Sequence, residues 1–202
     1  MGRVPHRFGP RSASLVLVFA PGDGVLPVDP LLEGLGQALA GHGVLTLGFE
    51  APEGTPQSRD ERWREQIVQR CAGLAGHQRL ILGGYSRGAR VAAGLTAELG
   101  ARAFLGFGYP LHGVREDKCP ERIAALANLG LPGLLCQGER DPHGNRSQVR
   151  GYELPEQIQW HWMAGLKHAL WRGEELLPQA TLALEPACRF VLGHLPAGKD
   201  EG

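Results

Sequence analysis

Short apolar runs alternating with longer amphipathic segments predict an α/β fold for this 202-residue chain, with helices covering a mostly parallel sheet of about six strands. Two further observations support it. The apolar runs have the length of buried strands and are spaced far enough apart to leave a helix after most of them. At 43% hydrophobic and 21% charged, the chain can bury one substantial core and is too short for two. The expected organisation is a flexible N-terminal arm over 1–13, one domain over 14–195 and a disordered polar tail, PAGKDEG, over 196–202.

In chain order, the strands are expected at Leu15–Phe19, Val44–Phe49, Leu80–Gly83, Ala103–Phe107, Leu134–Cys136 and Gln159–Met163. Between the first two, Leu31, Leu32, Leu35, Ala38 and Leu39 recur at three- and four-residue intervals, which predicts a helix over 30–42 that Gly41 and Gly43 end. Trp63, Ile67, Cys71 and Leu74 predict a second helix over 59–75, and good helix formers predict a third over 89–99. A last helix is expected over 174–192, bent or restarted at Pro178 and Pro186 because proline lacks a backbone donor. Only 20 residues, 111–130, separate GFGYP from LPGLLC, too few for a helical lid.

Composition removes several function classes. Lys+Arg and Asp+Glu are 21 each, so the chain lacks the basic footprint that nucleic acid or an anionic membrane selects. The apolar runs fall far short of the roughly 20 residues needed to cross a bilayer, and the basic start followed by LVLVF is too short for a signal peptide. A cytoplasmic location is the expectation. Cys71, Cys119, Cys136 and Cys188 show no CxxC spacing, so neither a metal site nor a redox pair is expected, and no cofactor is called for.

Chemistry concentrates around Gly84-Tyr85-Ser86-Arg87-Gly88, a G-x-S-x-G pattern set between a strand and a helix. In a chain with 30 glycines the letters alone mean little; the strand-to-helix context gives them mechanical sense. A sharp elbow there exposes the serine oxygen at the carboxyl edge of the sheet. A serine needs a base, and the base an acid, in the chain order Ser, acid, His. His168, in the loop MAGLKHAL beyond the last strand, is best placed as base, an exposed loop histidine being the plain alternative. His161 lies inside a strand, while His42 and His194 flank helix ends. Asp141 in CQGERDPHG is the expected acid, with an ordinary Asp-Pro turn as the alternative role and Glu139 as the alternative acid. An oxyanion hole would draw on the backbone N–H of Arg87 and, from the first-strand loop, that of Asp23; Pro21 has none to give. Gly22, Tyr85, Tyr109, Pro110 and His112 are expected to line the substrate pocket, with Leu111 beside them.

Several blocks recur in order with one family: APGDG followed by a helix ending AGHG, ILGGYSRGARVAAGL, GFGYPLHG, LLCQGERDPHG and WHWMAGLKHAL. Together they resemble the compact branch of α/β hydrolases that includes testis-expressed α/β-hydrolase-like proteins, with dienelactone-hydrolase-like enzymes more distant. The likeness runs from about Leu15 to Leu192. It implies Ser86 as nucleophile, Asp141 as acid, His168 as base and no cap domain. Two departures stand out: Pro21 replaces the His usual before Gly22, with Asp23 next, and Arg87 replaces a smaller or apolar neighbour of the serine. Asp23 turned inward would oppose an oxyanion, while Arg87 would pair with Asp23 or receive an anionic substrate. The chemistry expected is cleavage of a small ester, thioester or related acyl bond of a small-molecule substrate. The second reading, motivated by Pro21 and Asp23, is a binding or scaffold protein that retains the fold without using the triad.

Overall fold

A computed structural model describes residues 6–24, 29–53, 55–113 and 119–196. The strands are β1 (Arg7–Phe8), β2 (Leu15–Ala20), β3 (Leu45–Leu47), β4 (Arg79–Tyr85), β5 (Ala103–Phe107), β6 (Gly133–Gly138) and β7 (Ile158–Met163), with a small hairpin of β8 (Trp171–Arg172) and β9 (Glu175–Leu176). The helices are α1 (Pro30–Ala40), α2 (Pro56–Ala72), α3 (Arg87–Leu95), α4 (Pro120–Ala127), α5 (Arg146–Val149) and α6 (Pro178–Leu192). The large sheet has the order β1-β3-β2-β4-β5-β6-β7, parallel except for β1, which runs antiparallel to β3.

Strand β2 shows why the sequence reads as an unbroken apolar run. Val16, Val18 and Ala20 face a core shared with α2, α3 and α4, through Trp63, Ala89, Ala92 and Leu126. Leu15, Leu17 and Phe19 face the opposite core, shared with α1 and α6 through Leu31, Leu35, Ala183 and Val191. Successive side chains point to opposite faces, and both faces are covered.

The six expected strands are present, and the differences lie at the margins. Arg7–Phe8, inside the expected arm, is an edge strand whose Phe8 ring packs over Gly36, where a Cβ would stand 2.2 Å from it. Two residues are too few for periodicity to register. Residues 1–5 of the arm and 197–202 of the tail lie outside the described residues. Glu174 belongs to the β8–β9 turn, with Gly173 at φ 62°, and Glu175 to β9, so α6 starts later, with Pro178 in its first turn. It continues through Pro186; the carbonyl that Pro186 cannot serve is that of Leu182, a residue 69% exposed and open to water. Helix α4, unforeseen, starts at Pro120 after the N-cap Cys119, buries Leu126 beside α3 and sends Arg122 to the cleft. Among the described residues, no helix is long and apolar enough to cross a membrane.

Asp29 caps α1, accepting from Leu31 N–H at 2.9 Å and Leu32 N–H at 3.4 Å. Burial outweighs these bonds and lifts its carboxyl to about 6. Because the folded value lies above the unfolded one, the native state binds the proton more tightly, and stability falls as pH rises from about 4 through 6. Asn at position 29 keeps the cap without the charge. Its unfolding free energy should therefore gain on the parent's across that range, by on the order of 1 kcal/mol at pH 7; a difference between the two proteins that is the same at pH 4 and pH 7 would contradict this.

Candidate active site

Ser86 sits between β4 and α3 with φ 52° and ψ −118°, the only non-glycine among the described residues in the left-handed region. Its own N–H donates to Phe107 O at 2.9 Å, tying the elbow to the adjacent strand β5. The flanking glycines are sterically required: a Cβ on Gly84 would lie 2.6 Å from Ala20 O, and one on Gly88 would lie 2.3 Å from both Ala20 O and Pro21 O. Those contacts are with backbone, which cannot swing aside.

The elbow delivers Ser86 Oγ to 2.9 Å from His168 Nε2, and His168 Nδ1 lies 2.9 Å from Asp141 Oδ2. Asp141 follows β6 and is wholly buried. Its carboxylate fixes the tautomer: Nδ1–H donates to Asp141, leaving Nε2 to accept from the serine hydroxyl. His143 N–H donates to the other oxygen, Oδ1, at 2.8 Å, and Gln137 Nε2 donates to Oδ2 at 3.1 Å. Glu139, the alternative acid, is engaged elsewhere, with Arg146 at 2.9 Å and Gly165 N–H at 3.3 Å.

The base is held on two more sides. The Tyr85 ring stacks on the imidazole with centroids 5.4 Å apart, and its hydroxyl donates to His168 O at 2.9 Å. Burial, helped by the charge of Asp141, pushes the Tyr85 phenol well above its ordinary range and keeps it a donor. His143 meets the same imidazole edge-on at 4.6 Å. Sequence reading missed Gln137 and His143. Gln137 carried a usable signal, since a glutamine inside the apolar parallel strand LLCQG must find buried partners.

Around Ser86 lies a cleft of about 310 Å³, whose walls include Asp23, Tyr85, Arg87, Pro110, His112, His143 and His168. Three expected pocket residues are placed differently. Tyr109 is fully buried in the core, edge-on to Phe104 with its hydroxyl donating to Arg122 O at 3.1 Å, because the left-handed Gly108 (φ 52°) turns the chain after β5 and places Tyr109 on the Phe104 side of the sheet, opposite Phe107. Leu111 is likewise buried. Gly22 borders a neighbouring cavity of about 120 Å³ and passes so close to Tyr85 that a Cβ would be 2.5 Å from its ring.

The departures at Asp23 and Arg87 complement each other. Arg87 Nε donates to both Asp23 oxygens, at 2.9 and 2.8 Å, and Arg59 approaches the same carboxylate at 3.4 Å. On its other side Arg87 pairs with Asp60, which Arg90 also grips at 2.7 and 2.6 Å. Burial disfavours the Asp60 charge, but the bonds from Arg90 and Arg87 outweigh it and hold the carboxyl below its usual range. The result is an alternating ladder, Asp23–Arg87–Asp60–Arg90, that occupies the Asp23 carboxylate. Trp63 Nε1 donates to Pro21 O at 2.7 Å, pinning the same loop from beneath. Pro21 thus contributes its carbonyl.

Among the described residues, no group of three or more His, Cys, Asp or Glu side chains could hold a metal ion. The four cysteines are unbridged, and burial pushes the Cys71 thiol up to about 11 and raises those of Cys136 and Cys188.

A family model described as an alpha/beta hydrolase domain matches residues 13–179. The chain belongs to the α/β-hydrolase family. No curated protein matches its sequence. Among solved structures, this α/β hydrolase is similar to a metagenome-derived lipolytic enzyme, at a TM-score of 0.69 and 13% identity, covering 94% of this chain and 98% of the other. It is similar to an esterase domain from Rhodothermus marinus at 0.68 and 14%, covering 91% and 89%. A serine hydrolase without a lid from Xanthomonas campestris matches at 0.62 and 16%, covering 94% and 88%. At these identities the likeness is one of fold.

Proposed function

We propose that this α/β hydrolase cleaves a small ester, thioester or related acyl bond through an acyl-enzyme intermediate at Ser86. The observation that carries the reading is the unbroken relay of two 2.9 Å hydrogen bonds, Ser86 to His168 to Asp141, delivered by a left-handed elbow. His168 Nε2 takes the hydroxyl proton as Ser86 Oγ bonds to the acyl carbon. The tetrahedral oxyanion is received by the backbone N–H groups of Arg87 and Asp23. As the carbonyl re-forms, the bond to the alcohol or thiol breaks and the leaving group takes the proton from His168. Water, deprotonated by the same imidazole, then attacks the acyl carbon, releases the acid and returns the proton to Ser86. Asp141 stays ionised throughout and stabilises the transient imidazolium. Small-molecule acyl substrates suit a cleft of about 310 Å³.

A fluorophosphonate probe tests this directly. Purified protein should form an adduct at Ser86, located by peptide mass spectrometry, and Ser86→Ala and His168→Ala should form none or react at least 10³-fold more slowly. Well-folded parent protein that stays unlabelled would replace this reading with that of a scaffold.

A further inference from the structure

Three arginines line the cleft at Ser86, namely Arg87, Arg90 and Arg122. The first two are spent on the ladder with Asp23 and Asp60. Arg122 has a different setting. Among the described residues, the carboxylate paired with it is that of Glu121, 3.9 Å away and 72% exposed, so solvent screens the pair. Its Nη1 is instead held by two backbone carbonyls of the cleft wall, Pro110 O at 3.1 Å and His112 O at 2.9 Å. The Tyr109 hydroxyl fixes the backbone of the same residue by donating to Arg122 O at 3.1 Å. A guanidinium pinned through one nitrogen keeps its remaining N–H groups oriented, and carbonyls that are neutral leave its charge in place, with only the screened Glu121 opposite it among the described residues.

We infer that the cleft takes an acyl chain ending in a carboxylate, as in the half-ester of a short dicarboxylic acid, with Arg122 binding that carboxylate while Ser86 attacks the ester at the other end. The inference deepens the acyl-hydrolase reading and rests on it for the attack, but not for the binding. Of the carboxylates lining the cleft among the described residues, Asp23 is already engaged by Arg87, so an anionic substrate meets a surplus positive charge. The planar fork of arginine matches a carboxylate and discriminates against a neutral ester of the same shape.

The test compares 4-nitrophenyl hydrogen glutarate with its methyl-capped neutral counterpart, by nitrophenol release from the parent, Arg122→Met and Arg122→Lys, all checked by melting curves. The parent should prefer the anionic ester in kcat/KM, and Arg122→Met should cut that preference roughly tenfold or more, chiefly through KM. Arg122→Lys, which keeps the charge, should retain part of it. Equal losses on both esters would make Arg122 a staple of the loop and overturn the inference, as would a parent that shows no preference. Calorimetry of the anionic ester on Ser86→Ala protein separates the two readings. Binding that Arg122→Met abolishes, in a protein whose parent hydrolyses neither ester, would sustain the carboxylate site and sink the hydrolase. No binding together with no hydrolysis would sink both.

Discussion

Asp141→Asn is expected to slow acylation of Ser86 by roughly 10³- to 10⁴-fold while the protein stays folded. Every group around the Asp141 carboxylate is a donor: His143 N–H on one oxygen, Gln137 Nε2 and His168 Nδ1 on the other. An asparagine must turn its own NH₂ against one of them. If the amide nitrogen faces His168, the imidazole must carry its proton on Nε2, against Ser86, in the unproductive tautomer. If it faces His143, the tautomer survives but the imidazolium formed during attack has no counter-charge in a fully buried site. Stopped labelling time courses with a fluorophosphonate, set against near-parental melting, measure the effect. A variant labelled at the parental rate would remove Asp141 from the relay.

The second large effect concerns Arg87. Arg87→Met retains the backbone N–H assigned to the oxyanion but takes from the Asp23 carboxylate its closest partner, the Arg87 Nε that engages both oxygens at 2.9 and 2.8 Å, and leaves it the looser Arg59 at 3.4 Å. A loosened carboxylate at the mouth of the cleft opposes developing negative charge, and the acylation rate should drop about 10²-fold, comparable to losing one oxyanion donor. Asp23→Ala alone should change the rate little, and the double variant Arg87→Met/Asp23→Ala should recover most of the loss. That non-additivity is the diagnostic. Stability should hardly move, because the ladder is partly exposed and each such pair is worth about 0–1 kcal/mol. A double variant as slow as Arg87→Met would mean that Arg87 acts by some route other than restraining Asp23.

Ser86, Asp141 and His168 were legible because each rule that names them depends on chain order and on the ends of strands, which apolar runs mark well. The same logic failed for Tyr109. Two residues beyond β5 it looked like a loop residue open to the cleft, yet the left-handed turn at Gly108 carries it to the other side of the sheet and buries it against Phe104. Sequence reading prefers Asp141 to Glu139 as the acid, but both follow one strand by a few residues, and the turn that sends Glu139 toward Arg146 is a tertiary outcome. The pairing of Asp23 with Arg87 spans 64 residues and had no local signal beyond the oddity of both residues. Strand β1 and the β8–β9 hairpin are two residues each, below the reach of any periodicity.

The attachment of Ser86 N–H to Phe107 O has a consequence for how the protein can be handled. The reactive centre hangs from the ends of β4, β5 and β6, with partners 82 residues apart along the chain, so no fragment cut within the 119–132 segment contains it. Covalent capture at Ser86 therefore counts intact molecules, and in a denaturant titration its amplitude should decline along the same curve as the far-ultraviolet signal, reporting cooperativity without any added fluorophore on the chain.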